Sequence, residues 1–376
     1  MAFVLTSMEM KNDYNRQAFI TLVQAGLWET EARLLLIEEV DYSVLLRLAE
    51  EQSVVGLVAA GLEHTDGVPY ETKLKFIGYA SQIQQRNMAM NRFVAELVSK
   101  LQSESITPLL VKGQGVAQCY ERPLWRTSGD VDLVLRDGDY HKAKELMLPL
   151  STSSEESSRH LELVIDSWVV ELHGWLRIGL TSRINSQLDI IMRGSFFDNN
   201  VRLWKNCGRD IRLLSADNDV VYVFVHFFNH FYKGGIGLRQ ICDWCRLLWT
   251  YKDTLNYGLL ESRISAMGLI SEWKAFAAFA VDYLGMPVGA MPLYSSEKKW
   301  KRKAKRICSF IMEVGNMGHN RDMSYYNTKP YLIQKAISVR YRCADLLRHM
   351  AIFPLDSIRF FPRIMINGLR SAARGE

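Results

Sequence analysis

Two aspartates stand two residues apart in the run Gly129-Asp130-Val131-Asp132-Leu133-Val134-Leu135. The apolar residues of this run favour a strand, where residues two apart point to the same side. Asp130 and Asp132 therefore share a face, while Val131 and Leu133 supply packing. Two carboxylates side by side repel each other, and a divalent cation removes the conflict. Mg²⁺ suits such a pair because it binds through one or two carboxylates together with substrate phosphates. Ser128-Gly129, just ahead, allows close backbone approach. The same spacing also describes an ordinary exposed strand end.

A second region offers a third acid. The runs Arg159–Ile165 and Trp168–His173 are strand-like and separated only by Asp166-Ser167. A two-residue turn there pairs Ile165 with Trp168. Glu162 then lies opposite Glu171, and His160 opposite His173. His160, Glu162, Val164, Val169, Glu171 and His173 gather on one face, and Leu161, Leu163, Ile165, Trp168, Val170 and Leu172 form an apolar face. Like charges directly opposite each other are unfavourable on a sheet. The polar face is thus either solvated surface compensated by the histidines or part of a site.

Acids on neighbouring strands compose a two-metal site, which holds its ions about 3.5–4 Å apart and clamps the attacking and leaving oxygens in phosphoryl chemistry. Lys112 as a point charge and Arg126 as a bidentate fork would neutralise phosphate. Gly113 and Gly115 would let backbone N–H groups approach it. His160 is of a type suited to general-base work near neutral pH, although an acceptor-binding or surface role fits it equally.

His226 and His230 are four apart on an expected helix and share a face. They either line a cleft or pack among Phe227, Phe228 and Phe231. Arg239 and Asp243 have the same spacing and could pair. Gly234, Gly235 and Gly237 read as a tight loop whose following helix could offer amides to an anion, or as a plain structural turn. Cys242 and Cys245 form a C-x-x-C with no second pair to complete a zinc site, so they read as helix packing. The basic run Glu297–Arg306 reads as a solvated helical face. The tail from Ile358 is interrupted by Pro362 and reads as packing against the domain.

These residues need elements to hold them. Phe19, Leu22 and Val23 recur at helical spacing, Asp41 is a plausible N-cap, and the stretch from Ile77 to Glu104 reads as one amphipathic helix. The texture turns β-rich at Ile106 and returns to a helix at Asp139–Leu148. Ser151–Ser158 reads as a flexible, solvated loop. From Ser215 onward the chain reads as helical. The 376 residues are 48% hydrophobic and 23% charged, which permits a large core and does not indicate disorder. A formal charge of +5 suits phosphate handling but is too small to argue for a nucleic-acid surface. Six dispersed cysteines suggest free thiols in a reducing compartment. With no signal peptide and no apolar run of membrane length, the cytoplasm is the expected location.

Taken together, Lys112, Gly113, Tyr120, Pro123, Arg126, Gly129, Asp130, Asp132, Glu171 and His173 resemble the uncharacterised nucleotidyltransferase family of the DNA polymerase β-like superfamily. The resemblance covers Leu109–Leu176. It implies an α+β fold with a small mixed sheet, residues 105–214, between helical regions 1–104 and 215–376. It further implies that Asp130, Asp132 and Glu171 bind Mg²⁺, with Mn²⁺ as the alternative. Lys112, Gly113, Arg126, Ser128, Gly129, His160 and His173 would serve the nucleotide. The implied reaction is attack of a small-molecule or protein hydroxyl on the α-phosphate of an NTP, ATP included, with release of pyrophosphate. The chain departs from better-characterised nucleotidyltransferases at Lys112-Gly113, where they carry Gly-Ser or Gly-Gly, and in having Glu rather than Asp as third acid. Two other readings are an inactive nucleotide-binding or scaffold protein of the same fold, and a D-x-D glycosyltransferase. The long helical lead-in argues against the second.

Overall fold

The computed structural model describes residues 7–157, 160–318, 328 and 330–373. Four helices lead: α1 (Ser7–Trp28), α2 (Tyr42–Glu51), α3 (Val55–Glu63) and α4 (Tyr70–Ser103). The stripe Phe19, Leu22 and Val23 is fully buried, as its spacing predicts. Asp41 caps α2 by accepting from the Ser43 and Val44 amides. Helix α4 begins earlier than its apolar pattern suggests and runs unbroken for 34 residues.

The central segment contains β1 (Leu109–Val111), α5 (Gly113–Ala117), β2 (Asp130–Val134), α6 (Asp137–Met147), β3 (Ser153–Glu156), β4 (Leu161–Ile165), β5 (Trp168–His173), α7 (Ser182–Phe197), β6 (Val201–Asn206) and β7 (Arg209–Leu214). The seven strands form one sheet in the order β3-β4-β5-β2-β1-β7-β6. The β2–β5 and β1–β7 pairs are parallel and the other neighbours antiparallel, so the sheet is mixed, as the α+β reading requires. Helices α8 (Ala216–Lys233), α9 (Leu238–Tyr251), α10 (Tyr257–Met267), α11 (Ile270–Leu284), α12 (Lys298–Val314), α13 (Tyr331–Ile352) and α14 (Pro354–Ala373) follow.

Strand parity divides the core. Val131, Leu133, Val170 and Leu172 are buried with the second half of α4 and with α6. Leu109, Val111 and Val134 belong to a second cluster, shared with α1–α3 and with α8–α12. The helices before and after the sheet thus have one core in common. Trp28 Nε1 donates to the Leu284 carbonyl at 2.6 Å, and Gln52 Nε2 to that of Ile311 at 3.1 Å. Asp130 and Asp132 have the parity of Val134 and so face the helices of this second cluster.

Three expectations need correction. Residues 153–156, within the stretch read as a loop, form an edge strand on β4. Its side chains are all exposed, so no alternation betrays it, yet it satisfies the otherwise open backbone groups of β4. Ser158 and Arg159 of the neighbouring runs lie outside the described residues. Pro362 does not interrupt the tail but sits inside α14, where Phe360 and Ile364 are buried. Helix α7 and the β6–β7 hairpin escaped the sequence reading. Their signal was the Cys207-Gly208 turn, with φ of 48° and 76°, between alternating runs. The Asp166-Ser167 turn stands as read, with Ile165 paired to Trp168. Among the described residues no helix is long and apolar enough to cross a membrane.

One buried pair among the C-terminal helices has a measurable consequence. Glu272 of α11 and Asp356 of α14 are 2% and 8% exposed. Burial first, then the hydrogen bond and charge of Asp356, push the Glu272 carboxyl up to about 9. The folded state therefore holds a proton that the unfolded chain releases. Its contribution is full below the ordinary carboxylate range and is lost as pH rises toward about 9. We expect Glu272→Gln to melt like the wild type near pH 5 and progressively above it toward pH 9. Thermal melts of both proteins across that range check this, and parallel curves would contradict it.

Candidate functional site

The acids meet because β2 and β5 run parallel with Asp132 beside Glu171. One carboxylate oxygen from each of Asp130, Asp132 and Glu171 lies within 4.8 Å of the others. Asp132 is only 2% exposed. Two nitrogen groups face it. Lys112 Nζ is 2.7 Å from Asp132 Oδ1, and His173 Nε2 is 3.0 Å from the same oxygen and 3.2 Å from Glu171 Oε2.

Lys112 reaches Asp132 through a costly turn. Val111 pairs with Asp132 at the end of β1, and the chain must then swing into α5. Lys112 takes φ of 57° and Gly113 φ of 40°. A lysine in the left-handed region is uncommon, and such conformations persist where the surroundings over-determine them. Burial by itself would lower the Lys112 ammonium's pKa, but Asp132, Tyr222, Asp130 and Glu171 together hold it well above the ordinary lysine range. His173 behaves alike: burial opposes its charge, and the hydrogen bonds from Asp132 and Glu171 prevail and raise it. Glu171 is lowered despite burial, by His173 and Lys112.

Beside Asp130 and Asp132 lies a cavity of about 150 Å³ walled by α8 and α9. His226 and His230 line it with ring centroids 4.5 Å apart, alongside Phe227. Burial and then Lys112 push His226 far below the usual histidine range, and burial, Lys112 and Lys233 bring His230 to about 4. Both imidazoles are neutral. Arg239 of α9 also lines the cavity. Its Nη1 donates to the Thr127 carbonyl at 2.7 Å, while its buried Nε has no hydrogen-bond partner among the described residues.

The loop leading into Asp130 is fixed from three sides. Arg126 Nε and Nη2 grip the Asp243 carboxylate at 2.6 and 2.7 Å, and the Tyr120 hydroxyl donates to the same group at 2.7 Å. Arg126 Nη1 reaches Ser128 Oγ at 3.1 Å. Asn87 of α4 donates to the Leu124 and Arg126 carbonyls at 2.7 Å, and Gln114 of α5 donates to Asn87 at 3.0 Å. The anticipated partner of Asp243 was Arg239, one turn away; the fork of Arg126 takes it instead.

Lys112, Gly113, Arg126, Gly129, Asp130 and Asp132 border the cavity. Glu171, His173 and His160 stand beside the acids without lining it, with His160 Nε2 4.0 Å from Glu171 Oε1. Two glycine expectations change. A Cβ on Gly115 would meet Leu213 at 2.7 Å, so this glycine serves packing of α5 under β7. The amides opening α9 are not free for an anion: Gln52 Oε1 accepts from Leu238 N–H at 3.0 Å, and the Gln52 carbonyl from Arg239 N–H at 3.3 Å. Cys242 and Cys245 are buried, as their helix predicts. Sequence reasoning missed Asn87, Gln114 and Gln52. No local pattern marks these amides, because their partners lie far along the chain.

Comparison with known proteins gives one family match. A family profile described as uncharacterised nucleotidyltransferase matches residues 38–285. Among solved structures, the chain is similar to an antigenic nucleotidyltransferase-like protein from Paracoccidioides brasiliensis. Identity is 14%, the match covers 53% of this chain and 93% of that one, and the TM-score is 0.33. No curated protein matches.

The loop anchor yields a stability test. Removing one member of a buried ion pair strands the other and costs about 3–5 kcal/mol, whereas replacing both by apolar groups is often neutral. We expect Arg126→Met to lose about that much in urea unfolding. The double variant Arg126→Met/Asp243→Leu should recover most of it. Equal losses in the single and double variants would show that the pair does not anchor the loop.

Proposed function

Because the chain belongs to the uncharacterised nucleotidyltransferase family, matched over residues 38–285, we propose that it moves a nucleoside monophosphate from an NTP to a hydroxyl acceptor and releases pyrophosphate. The observation that carries this reading is the convergence of Asp130, Asp132 and Glu171 within 4.8 Å, at the edge of a cavity walled by cationic and neutral nitrogen groups.

The donor set fits a divalent cation. Carboxylate oxygens from two adjacent strands meet with a charge that Lys112 and His173 only partly offset. Asp130, Asp132 and Glu171 would hold Mg²⁺ or Mn²⁺. A bound ion of this kind supplies charge stabilisation for the transferring phosphoryl group and lowers the pKa of the attacking oxygen.

The protein's own groups divide the remaining work. Lys112 holds Asp132 and, with the carboxylates otherwise satisfied, is near enough to turn its ammonium to a phosphate oxygen. Arg239 would carry the polyphosphate contact first assigned to Arg126, since its Nε has no partner among the described residues while the fork of Arg126 is engaged. Burial, followed by the nearby charge of Arg126, lowers the pKa of Arg239, so an anion beside it gains. Arg126 acts as a positioning residue by fixing the backbone from Thr127 to Gly129. Gly129 has open space around its α-carbon, which suits a ligand approaching the main chain.

The mixed sheet gives no support to a glycosyltransferase, whose D-x-D ends a larger sheet of successive β/α units. An inactive nucleotide-binding protein of the same fold is separated by experiment. Calorimetry with Mg²⁺ and each NTP should show binding by the wild type and a loss of about tenfold or more on Asp130→Ala/Asp132→Ala, as for losing a metal's supporting groups. If the two proteins bind NTP indistinguishably, the metal site is wrong. In cell extract with labelled NTP, pyrophosphate release by the wild type and none by the variant supports transfer. Binding without release favours the inactive protein.

A further inference from the structure

We propose that His160, Glu171 and His173 form a second metal site, suited to a borderline divalent transition ion such as Zn²⁺, Co²⁺ or Mn²⁺, with Glu171 shared between it and the carboxylate cluster. The proposal deepens the nucleotidyl-transfer reading and rests on it only through that shared residue.

Strand register places the three side chains. Leu161 pairs with Leu172 and Glu162 with Glu171 across β4 and β5. The next position outward brings His160 over His173, with ring centroids 5.3 Å apart. Glu171 comes up between them. Its Oε2 is 3.2 Å from His173 Nε2 and its Oε1 is 4.0 Å from His160 Nε2. One donor atom from each of the three residues falls within 4.8 Å of the others. Bonds to zinc of about 2.0–2.2 Å put neighbouring ligands about 3–3.5 Å apart in a tetrahedral shell, so only His160 must close in, by a small rotation of its ring.

The chemistry of the donors separates this set from its neighbour. Asp130, Asp132 and Glu171 offer oxygen alone, which suits Mg²⁺. Two imidazoles and a carboxylate favour zinc and its transition-metal neighbours. A second feature points the same way. Ligating histidines usually engage their other ring nitrogen, which fixes the ring, and His160 Nδ1 lies 3.4 Å from Ser157 Oγ. The Ser157 amide and hydroxyl also donate to the His160 carbonyl, at 3.0 and 3.1 Å. The side chains of His160, Glu171 and His173 are 28%, 20% and 16% exposed. An ion can therefore enter from solvent, while rigid paired strands supply two of the three ligands.

The consequence for the proposed reaction is a centre with unlike halves. Asp130, Asp132 and Glu171 would hold an oxygen-loving ion beside the nucleotide, and His160, Glu171 and His173 would hold the second, whose charge would help fix Glu171.

The test uses the full-length protein, stripped with chelator and titrated with Co²⁺ in excess Mg²⁺ without nucleotide. We expect one Co²⁺ per chain with visible d–d absorption. His160→Ala should weaken it by about tenfold or more, with a melting temperature like that of the wild type. Pulsed EPR of the Mn²⁺-loaded wild type should show nitrogen modulation from the imidazoles, a readout that needs no variant. Equal Co²⁺ affinity in wild type and His160→Ala, or Mn²⁺ bound without nitrogen modulation while excess Mg²⁺ fills the carboxylate cluster, overturns the site. Failure here leaves NTP binding dependent on Asp130 and Asp132, whereas failure of the transfer reading leaves the nitrogen-coordinated ion in place.

Discussion

Crowded negative charge on one face of a sheet is the constraint around which this protein is arranged. Two like charges about 4 Å apart repel by about 4 kcal/mol at an effective dielectric near 20. That is a large part of the roughly 5–15 kcal/mol by which a domain is stable. Asp130, Asp132 and Glu171 impose this cost, and the chain offsets it locally. Lys112 is bent into the left-handed region so that its ammonium meets Asp132, and His173 places its Nε2 between Asp132 and Glu171. An uncommon backbone at Lys112 is thus the local means by which three acids are tolerated on adjacent strands.

Holding charge in place also requires that the strand carrying it cannot shift. The loop before β2 is tied to α9 by Arg126–Asp243, to α4 by Asn87 and to α5 through Gln114. These helices come from both ends of the sequence. Gln52 of the first helical region, lying just past α2, closes the N-terminus of α9. The common core of the flanking helices therefore has a purpose at the site. It brings α8 and α9 against the acids from one side while the N-terminal helices brace them from behind.

Much of the acid cluster was legible because period two is a strict rule. Asp130 and Asp132 had to share a face, and the Asp166-Ser167 turn carried Glu171 and His173 to one side of their strand. The parallel pairing that brings Glu171 beside Asp132 came only with the structure. Other features were illegible for physical reasons. Arg126 and Asp243 are 117 positions apart, and helical spacing pointed Asp243 to Arg239 instead. Tertiary geometry won because a bidentate fork satisfies both oxygens of the buried carboxylate. The β6–β7 hairpin hid behind interleaved Arg, Lys and Asp, since one of its faces is solvated. The exposed strand β3 has no apolar residue to read. Lys112 was obscure because sequence shows its charge but not its φ.

The histidines around the site show how far position overrides residue type. His173 looks directly at two carboxylates, and its charge is favoured although it is buried. His226 and His230 sit across the cavity, where burial and the ammonium of Lys112 both oppose a proton. Lys112 is the divider. On its acid side an imidazole's proton is favoured by the carboxylates; on its helix side imidazoles stay neutral and can accept a hydrogen bond. A cation entering between the acids would weaken the hold on His173 by taking over its partners, and would reinforce the neutrality of His226 and His230. The helix side of the cavity therefore keeps the same protonation with or without an ion, and the sheet side is where charge is exchanged.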